Sequence, residues 1–305
     1  MSPSPWLRFA VLALGLAISG CSTSKQPYKP VREKPTVEEA QQLRRTEALW
    51  KAEDPKFPAA RDKILKNPVT AAWWIRALVW YAVGSHNEHL SQQRNLLGTV
   101  KAREPVGYKK ARAELRIAGG VAVPILVDEL LRHSYRENRD LGVEILVYMG
   151  SQIVPELEPQ LTHKDKRVRR QVLQVLGGMA GDARAQELLA QNVRDPDFSI
   201  RAQALESLAR AGDARLPLLR QAAVQDPDKF VRRRVIAAFA GFKDKQTAAI
   251  VVAYYQDVLR QGDRPGIRAA KQTLQAMSGI HGEHDEAFWR LWLAGLPDTR
   301  NGEGR

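Results

Sequence analysis

The feature that most constrains the fold is a repeat of 31 residues that begins at about residue 107. Apolar positions recur at this interval, at Leu126, Leu157, Leu188, Leu219 and Ile250. Four glycines keep the same spacing, at Gly119, Gly150, Gly181 and Gly212. A fixed period of this length is typical of repeat architectures, in which each unit is one supersecondary motif and stacking buries a continuous core.

Each unit is predicted to form two helices. From Ile200 to Leu208 the apolar residues recur at i, i+4, i+5 and i+8, which places them on one helical face. Glycine ends this first helix, and a proline opens the second one. The Asp-Pro-Asp motifs at 195–197 and 226–228 supply a turn and an N-cap between units. No strand-like alternation is present, so we predict an all-α protein, an α-solenoid of about five to six two-helix repeats with additional N-terminal helices.

Recurring dipeptides open the helices of these units. They are Val168-Arg169, Ile200-Arg201 and Val231-Arg232 in the first helices, and Val-Pro or Leu-Pro at 123–124, 154–155 and 216–217 in the second helices. These motifs resemble the HEAT-repeat family, especially its short-unit class found in phycobilisome-lyase-like proteins. The resemblance covers residues 107–260 and departs from the family where Gln186 and Ala248 replace two prolines. It implies second helices that line a concave face, and Asp–Arg pairs that form a ladder between units. It is specific for fold and not for function.

The region before the repeats, residues 36–106, is predicted to be helical. Thr36 and Glu39 form a capping-box pattern that opens a helix of about fifteen residues, with Val37 in its buried stripe. Asn67-Pro68 starts a second helix, predicted to run from Val69 to Val83. Four tryptophans fall in these two helices, at Trp50, Trp73, Trp74 and Trp80. Their helical spacing favours a core of large rings over an aromatic platform for a sugar or peptide.

The chain begins with a predicted export signal, residues 1–20. Its apolar run from Phe9 to Ile18 is too short to span a bilayer as a helix. Ile18-Ser19-Gly20-Cys21 resembles the lipobox of bacterial lipoproteins, which implies cleavage before Cys21 and a lipid such as palmitate on its thiol. Cys21 is the only cysteine in the sequence. The resemblance implies a lipid-anchored protein of the cell envelope, on the outer membrane facing the periplasm in a Gram-negative host.

The remaining boundaries follow from composition. Residues 21–35 carry three prolines and form a flexible tether. Residues 261–296 contain a degenerate repeat and an aromatic segment that resembles a terminal cap, and residues 297–305 are predicted to be a disordered tail.

Charge suggests the kind of partner. The sequence carries a formal net charge of +13, which in an exported protein points to a protein or an acidic envelope polymer and not to nucleic acid. Two rows of cations share the period, and both are predicted to lie on second helices. The first row contains Arg184 and Arg215, and the second contains Arg132, His163 and Arg194. The second row could equally serve to complement helix C-termini.

The sequence contains no recognisable catalytic motif, and no cofactor or small-molecule substrate is expected. Two His-x-x-His pairs, which we expect to be solvated and not metal ligands, lie at His86/His89 and His281/His284. We therefore predict a membrane-anchored, non-catalytic scaffold or adaptor that binds its partner through the concave face. The alternatives are an enzyme or chromophore-handling protein related to HEAT-type lyases, and a nucleic-acid binder if the chain is not exported.

Overall fold

A computed structural model describes residues 34–95 and 106–297, and every regular element within these ranges is helical. The predicted signal peptide, Cys21 and residues 298–305 lie outside the described residues. The chain divides into two compact units, of which the first ends at Pro159 and the second begins at Gln160. No helix among the described residues is both long enough and apolar enough to cross a membrane. The all-α prediction is confirmed for this part of the chain.

The first unit opens with the predicted helix starts. Its helices are α1 (Val37–Lys51), α2 (Phe57–Leu65), α3 (Pro68–Asn95), α4 (Val106–Ala118), α5 (Val123–Leu126), α6 (Arg136–Met149) and α7 (Val154–Leu157). The Thr36 hydroxyl accepts a bond from the Glu39 amide at 3.2 Å, and the Glu39 carboxylate accepts one from the Thr36 amide at 2.8 Å. The Asn67 side chain accepts a bond from the Val69 amide at 2.8 Å. Both predicted starts are therefore confirmed.

Two expectations for these helices are wrong. Helix α3 continues to Asn95 instead of ending at Val83, because Gly84 within it costs only about 1 kcal/mol relative to alanine and does not by itself end a helix. Val37 is 75% exposed, because it is the first residue of α1 and extends beyond the face that packs on the core.

Large rings fill the core of the first unit. Trp50 and Trp74 are buried, and their rings meet edge to face with centroids 5.8 Å apart. Trp73 and Trp80 are half-buried. The core interpretation is confirmed for the first pair.

The second unit consists of helices that alternate between first and second positions in their repeats. They are α8 (Lys166–Gly178), α9 (Ala183–Asn192), α10 (Phe198–Ala209), α11 (Leu216–Gln225), α12 (Lys229–Ala238), α13 (Lys245–Gln261), α14 (Arg264–Ser278) and α15 (Glu286–Gly295). The first helices α8, α10, α12 and α14 pack side by side in chain order. With the pairs α4–α5 and α6–α7, the described chain contains six two-helix units, as the repeat predicts.

The Asp-Pro-Asp turns cap the first helices as predicted. Asp197 accepts a bond from the Ser199 amide at 2.8 Å, and Asp228 accepts one from the Phe230 amide at 2.7 Å. Asp165 caps α8 in the same way, through the Arg167 amide at 2.9 Å. These bonds satisfy amides that a helix N-terminus would otherwise leave unpaired.

One arginine in each first helix from α6 to α12 closes the preceding turn. In every case its Nη1 donates to the backbone carbonyl six residues earlier, at distances of 2.7–2.9 Å. The four are Arg139, Arg169, Arg201 and Arg232. These cations are therefore structural, because each one ties the end of a second helix to the start of the next first helix.

The Asp–Arg ladder that the resemblance implies has one bidentate rung. Arg201 donates from Nε and Nη2 to the two oxygens of Asp226, at 3.0 and 3.1 Å. Asp226 is 9% exposed and also accepts a bond from the Asp228 amide at 2.9 Å. Arg169 instead donates to the carbonyl of His163, and Asp165 pairs with Arg167.

Helix ends follow the glycine period in part. Gly150 and Gly212 adopt positive φ values of 82° and 77° after the first helices α6 and α10. Gly181 does not, because α8 ends at Gly178 and the turn that follows needs no left-handed residue. Gly177 instead faces α10, where a Cβ atom would lie 2.7 Å from the Ser207 Cβ.

Candidate binding surface

The predicted rows of cations on the second helices are largely engaged by neighbouring side chains. Arg184 lies in the first turn of α9 and forms an ion pair of 2.7 Å with Glu187. Arg215 precedes α11 and donates from Nε to the side-chain oxygen of Gln186 at 3.2 Å. In the first unit, Arg132 forms an ion pair of 2.8 Å with Asp128, one helical turn earlier.

His163 occupies a structural position in its turn. Its Nδ1 accepts a bond from the Asp165 amide at 3.0 Å, and its carbonyl accepts the bond from Arg169. The same two roles belong to His133, Asp195 and Asp226 in the other turns. Arg132 and Arg194 each lie one residue before the position that His163 occupies in its own turn. The three members of the second predicted row are therefore not structurally equivalent, although they share the 31-residue spacing. Arg194 itself is exposed.

The outward face of the second helices in the second unit carries little net charge. Its exposed charged side chains are Arg184 and Arg260, which pair with Glu187 and Asp257, and Arg290 of α15. Its other exposed side chains include the amides of Gln191, Gln221 and Gln246 and the apolar groups of Val224, Ala249 and Ala253. A basic concave stripe on these helices stays a prediction.

A different set of cations lies at the N-terminal ends of the first helices in the second unit. Five of its members lie in the first two turns of α8, α12 and α14, and Lys164 lies in the turn before α8. None forms an ion pair with any residue in the described ranges, and all but the half-buried Arg233 are exposed. They are Lys164, Arg170, Lys229, Arg233, Arg264 and Arg268. We call this set, together with Phe198 and Phe230, the basic edge.

The aromatic pair lies between the cations of α8 and those further along the edge. Phe198 is 45% exposed, and its ring meets the ring of Phe230 edge to face at 5.6 Å. The guanidinium of Arg233 lies 5.6 Å from the centre of the Phe230 ring. The basic edge therefore offers an apolar contact area between positive charges.

The acidic residues near this edge, Asp165 and Asp197, are already bonded to other residues. The hydroxyl of Ser199 holds the pKa of Asp197 at about 2, and the Arg167 guanidinium lowers the pKa of Asp165. Both carboxylates stay ionised at neutral pH, where they cap helices and pair with Lys166 and Arg167. The six cations of the basic edge are thus a local excess of positive charge.

Helix electrostatics make the location of these cations unfavourable for folding. Lys229 and Arg264 lie in the first turn, where the helix dipole is positive, and a cation there opposes the dipole at about 0.3–1 kcal/mol. Neither α12 nor α14 has an acidic residue in its first turn, and the aspartates at their N-caps, Asp228 and Asp263, accept bonds from backbone amides. The two predicted rows do not include these residues, although acid-free basic runs at 166–170 and 229–234 are visible in the sequence.

Among the described residues, no histidine cluster adds a metal site to the basic edge. No group of three or more potential metal ligands occurs among the described residues. His284 of the second His-x-x-His pair stacks on Phe288 at 3.9 Å, which is the packing expected of an aromatic residue near α15. The His89 side chain lies outside the described residues.

The repeats define an α-solenoid of two-helix units. The profile of the family described as HEAT repeats matches residues 123–209 and 186–274. The protein is accordingly a HEAT-repeat protein over these residues, as the resemblance implies. No curated protein matches the sequence.

Solved structures similar to this chain include three with low sequence identity. An engineered protein is 17% identical, with 72% of this chain and 96% of that chain covered and a TM-score of 0.38. Kap121p bound to Pho4p is 12% identical, with 84% and 31% covered and a TM-score of 0.37, so this chain spans about a third of it. The complex of CpcE and CpcF of phycocyanin lyase from Nostoc sp. PCC7120 is 15% identical, with 89% and 98% covered and a TM-score of 0.34.

Proposed function

We propose that this protein is a lipid-anchored, non-catalytic adaptor that holds an acidic protein partner at the cell envelope. The observation that carries the proposal is the basic edge, whose cations lack ion pairs within the described chain and lie partly where the helix dipole opposes them. These charges are electrostatically unfavourable in the free protein, and binding an acidic partner would remove that unfavourable free energy. This relocates the contact from the predicted second-helix rows to the N-terminal ends of the first helices.

The aromatic pair favours a protein over a simple anionic polymer. Phe198 exposes an apolar ring between cations, and a partner gains by covering it with an apolar side chain. An acidic peptide with apolar residues offers both contacts, whereas a uniformly charged polymer offers only one. Exposed aromatic and arginine residues are also enriched at protein interfaces.

Two carboxylates of the second unit with shifted pKa values have structural roles. Asp165 and Asp197 owe their lowered pKa values to bonds that cap and join helices. An active site would instead hold such groups where a substrate could reach them. Their shifts therefore have a structural explanation.

Site-specific photocrosslinking tests where the partner binds. With Phe198 replaced by p-benzoylphenylalanine, irradiation of intact membranes should yield a covalent adduct with an acidic protein. The matched control places the same group at Gln221, on the outward face of α11. Adducts at Gln221 and none at Phe198 would assign the contact to the second helices and contradict the proposal.

The anchor has its own test. Cys21→Ser should abolish acylation and cleavage of the precursor, because the thiol is the group that receives the lipid in lipoproteins. Mass spectrometry of the native protein should show acyl chains on Cys21. A native protein with no acyl mass that leaves membranes at high salt would disprove the anchor, and it would leave the basic edge as a separate question.

A further inference from the structure

The first unit contains a cleft of about 370 Å³ between the end of α1, the start of α2 and the middle of α4. Two buried aromatic rings and two prolines form its apolar walls: Trp50, Phe57, Pro55 and Pro58. Its polar lining is mostly acidic and consists of Glu53, Asp54, Glu114 and one cation, Lys110. An acidic cleft is notable in a chain whose net charge is +13.

Glu114 is the buried carboxylate of this cleft. It is 9% exposed, and its Oε2 is enclosed without a hydrogen-bond partner in the described structure. The nearest cation is Arg61, whose Nη1 lies 3.5 Å from that oxygen. Burial raises the pKa of Glu114, and the Arg61 charge opposes this rise. This buried negative charge, which Arg61 only partly offsets, belongs to the lining of the cleft and attracts a cation that enters it.

Glu53 at the rim of the cleft adopts a strained backbone conformation. It follows α1 with a φ of 55°, and no other non-glycine residue in the described ranges has a positive φ. The bond from the Asp54 amide to the Leu49 carbonyl, 3.0 Å, closes a turn that usually holds glycine at this position. Glycine would fit without strain. Glutamate instead places a carboxylate beside the cleft, where it pairs with Lys110.

We infer that this cleft binds an alkylammonium or guanidinium group, such as that of a lysine or arginine side chain. The Glu53 carboxylate would accept the bonds of the cation, the buried charge of Glu114 would attract it, and the Trp50 and Phe57 rings would contact its apolar stem. Aromatic faces also attract cations directly. Lys110 is a resident competitor, because its ammonium already pairs with Glu53 at the rim. The site lies in the first unit and is independent of the basic edge.

Isothermal titration of the purified full chain tests the ligand. The probes are the peptides Ac-Gly-Lys-Gly-NH2 and Ac-Gly-Nle-Gly-NH2, which differ in one ammonium group, and butylammonium chloride. The lysine peptide should bind saturably, and the norleucine peptide should not. Saturable binding of butylammonium as well assigns recognition to the ammonium group, whereas binding of the lysine peptide alone assigns a polypeptide ligand. Equal binding of the two peptides, or binding of no cationic probe, overturns the inference.

Variants separate recognition from folding. Glu53→Gly should weaken binding at least threefold and yet keep or raise Tm, because glycine relieves the strained turn. Glu114→Gln should weaken binding by a similar factor, and Lys110→Ala should tighten it by removing the competitor. Glu137→Gln, an exposed residue of α6 outside the cleft, is the matched control. Native-like affinity in both glutamate variants would show that the cleft does not bind the cation.

Discussion

At the scale of single residues, one buried polar group in the second unit has an unusually large number of bonds. Asp226 accepts hydrogen bonds from Nε and Nη2 of Arg201 and from the amide of Asp228, so one side chain joins two consecutive repeats. Both partners of the ion pair are largely buried, with side chains 13% and 7% exposed. Loss of one partner leaves the other charge buried without compensation, which costs far more than loss of an exposed pair.

Asp226→Ala should therefore lower the free energy of unfolding by about 3–5 kcal/mol. Asp195→Ala is the matched control, because Asp195 makes the same turn bond to the amide two residues later but has no bidentate arginine partner. Its loss should be about 1 kcal/mol. Urea denaturation of both variants measures the two values, and equal losses would show that the Arg201 pair contributes nothing.

At the scale of elements, local chemistry determines helix starts more sharply than helix ends. The capping box at Thr36 and the Asn67-Pro68 pair are local signals, and α1 and α3 begin where these signals lie. The end of α3 depends on tertiary packing, so a single Gly84 is a misleading signal. The second helices α5 and α7 contain only one turn of α-helix. The chain then continues as a wider π-helix after α5 and as a narrower 3-10 helix after α7, and no residue pattern distinguishes these geometries.

The cleft of the first unit could not be predicted for a related reason. It depends on the approach of Lys110 and Glu114 in α4 to Glu53 after α1, a contact between residues far apart in sequence. Neither segment carries a motif that signals the other. The basic edge, by contrast, consists of short local runs, and only its lack of acidic partners required the structure.

Helix packing predicts opposite effects for two glycine substitutions. Gly177→Ala should destabilise the protein by about 1–3 kcal/mol, because the new Cβ would overlap Ser207 where α8 meets α10. Gly84→Ala should stabilise it by about 0.5–1 kcal/mol, because a Cβ at Gly84 meets no other atom within 4 Å and alanine favours the helix. Thermal or urea unfolding of each variant measures the sign. A stabilised Gly177→Ala protein would mean that α8 and α10 are less closely packed than described.

At the scale of the whole molecule, the 31-residue period was sufficient to predict the solenoid class. A repeat requires only that equivalent residues play equivalent roles, and the arginine-to-carbonyl bonds show this equivalence in successive turns. The same period wrongly predicts which residues are equivalent where one turn differs in length by a residue, as at His163. Position in a period is therefore a good guide to packing and a weaker guide to which charges meet a partner.

The central claim is that an acidic partner binds the basic edge, and one affinity comparison tests it most directly. The edge variant reverses Arg170, Lys229, Arg233 and Arg268 to Glu, and the row variant reverses Arg132, Arg184, Arg194 and Arg215 to Glu. Both change the net charge equally, and circular dichroism checks that both are folded.

The measurement is the Kd for an acidic peptide that contains phenylalanine, at physiological salt. With four exposed contacts worth about 0.2–1 kcal/mol each, the edge variant should bind at least about fourfold more weakly, and the row variant should bind within about twofold of the native protein. The reverse order, with the row variant losing affinity and the edge variant keeping it, would contradict the account.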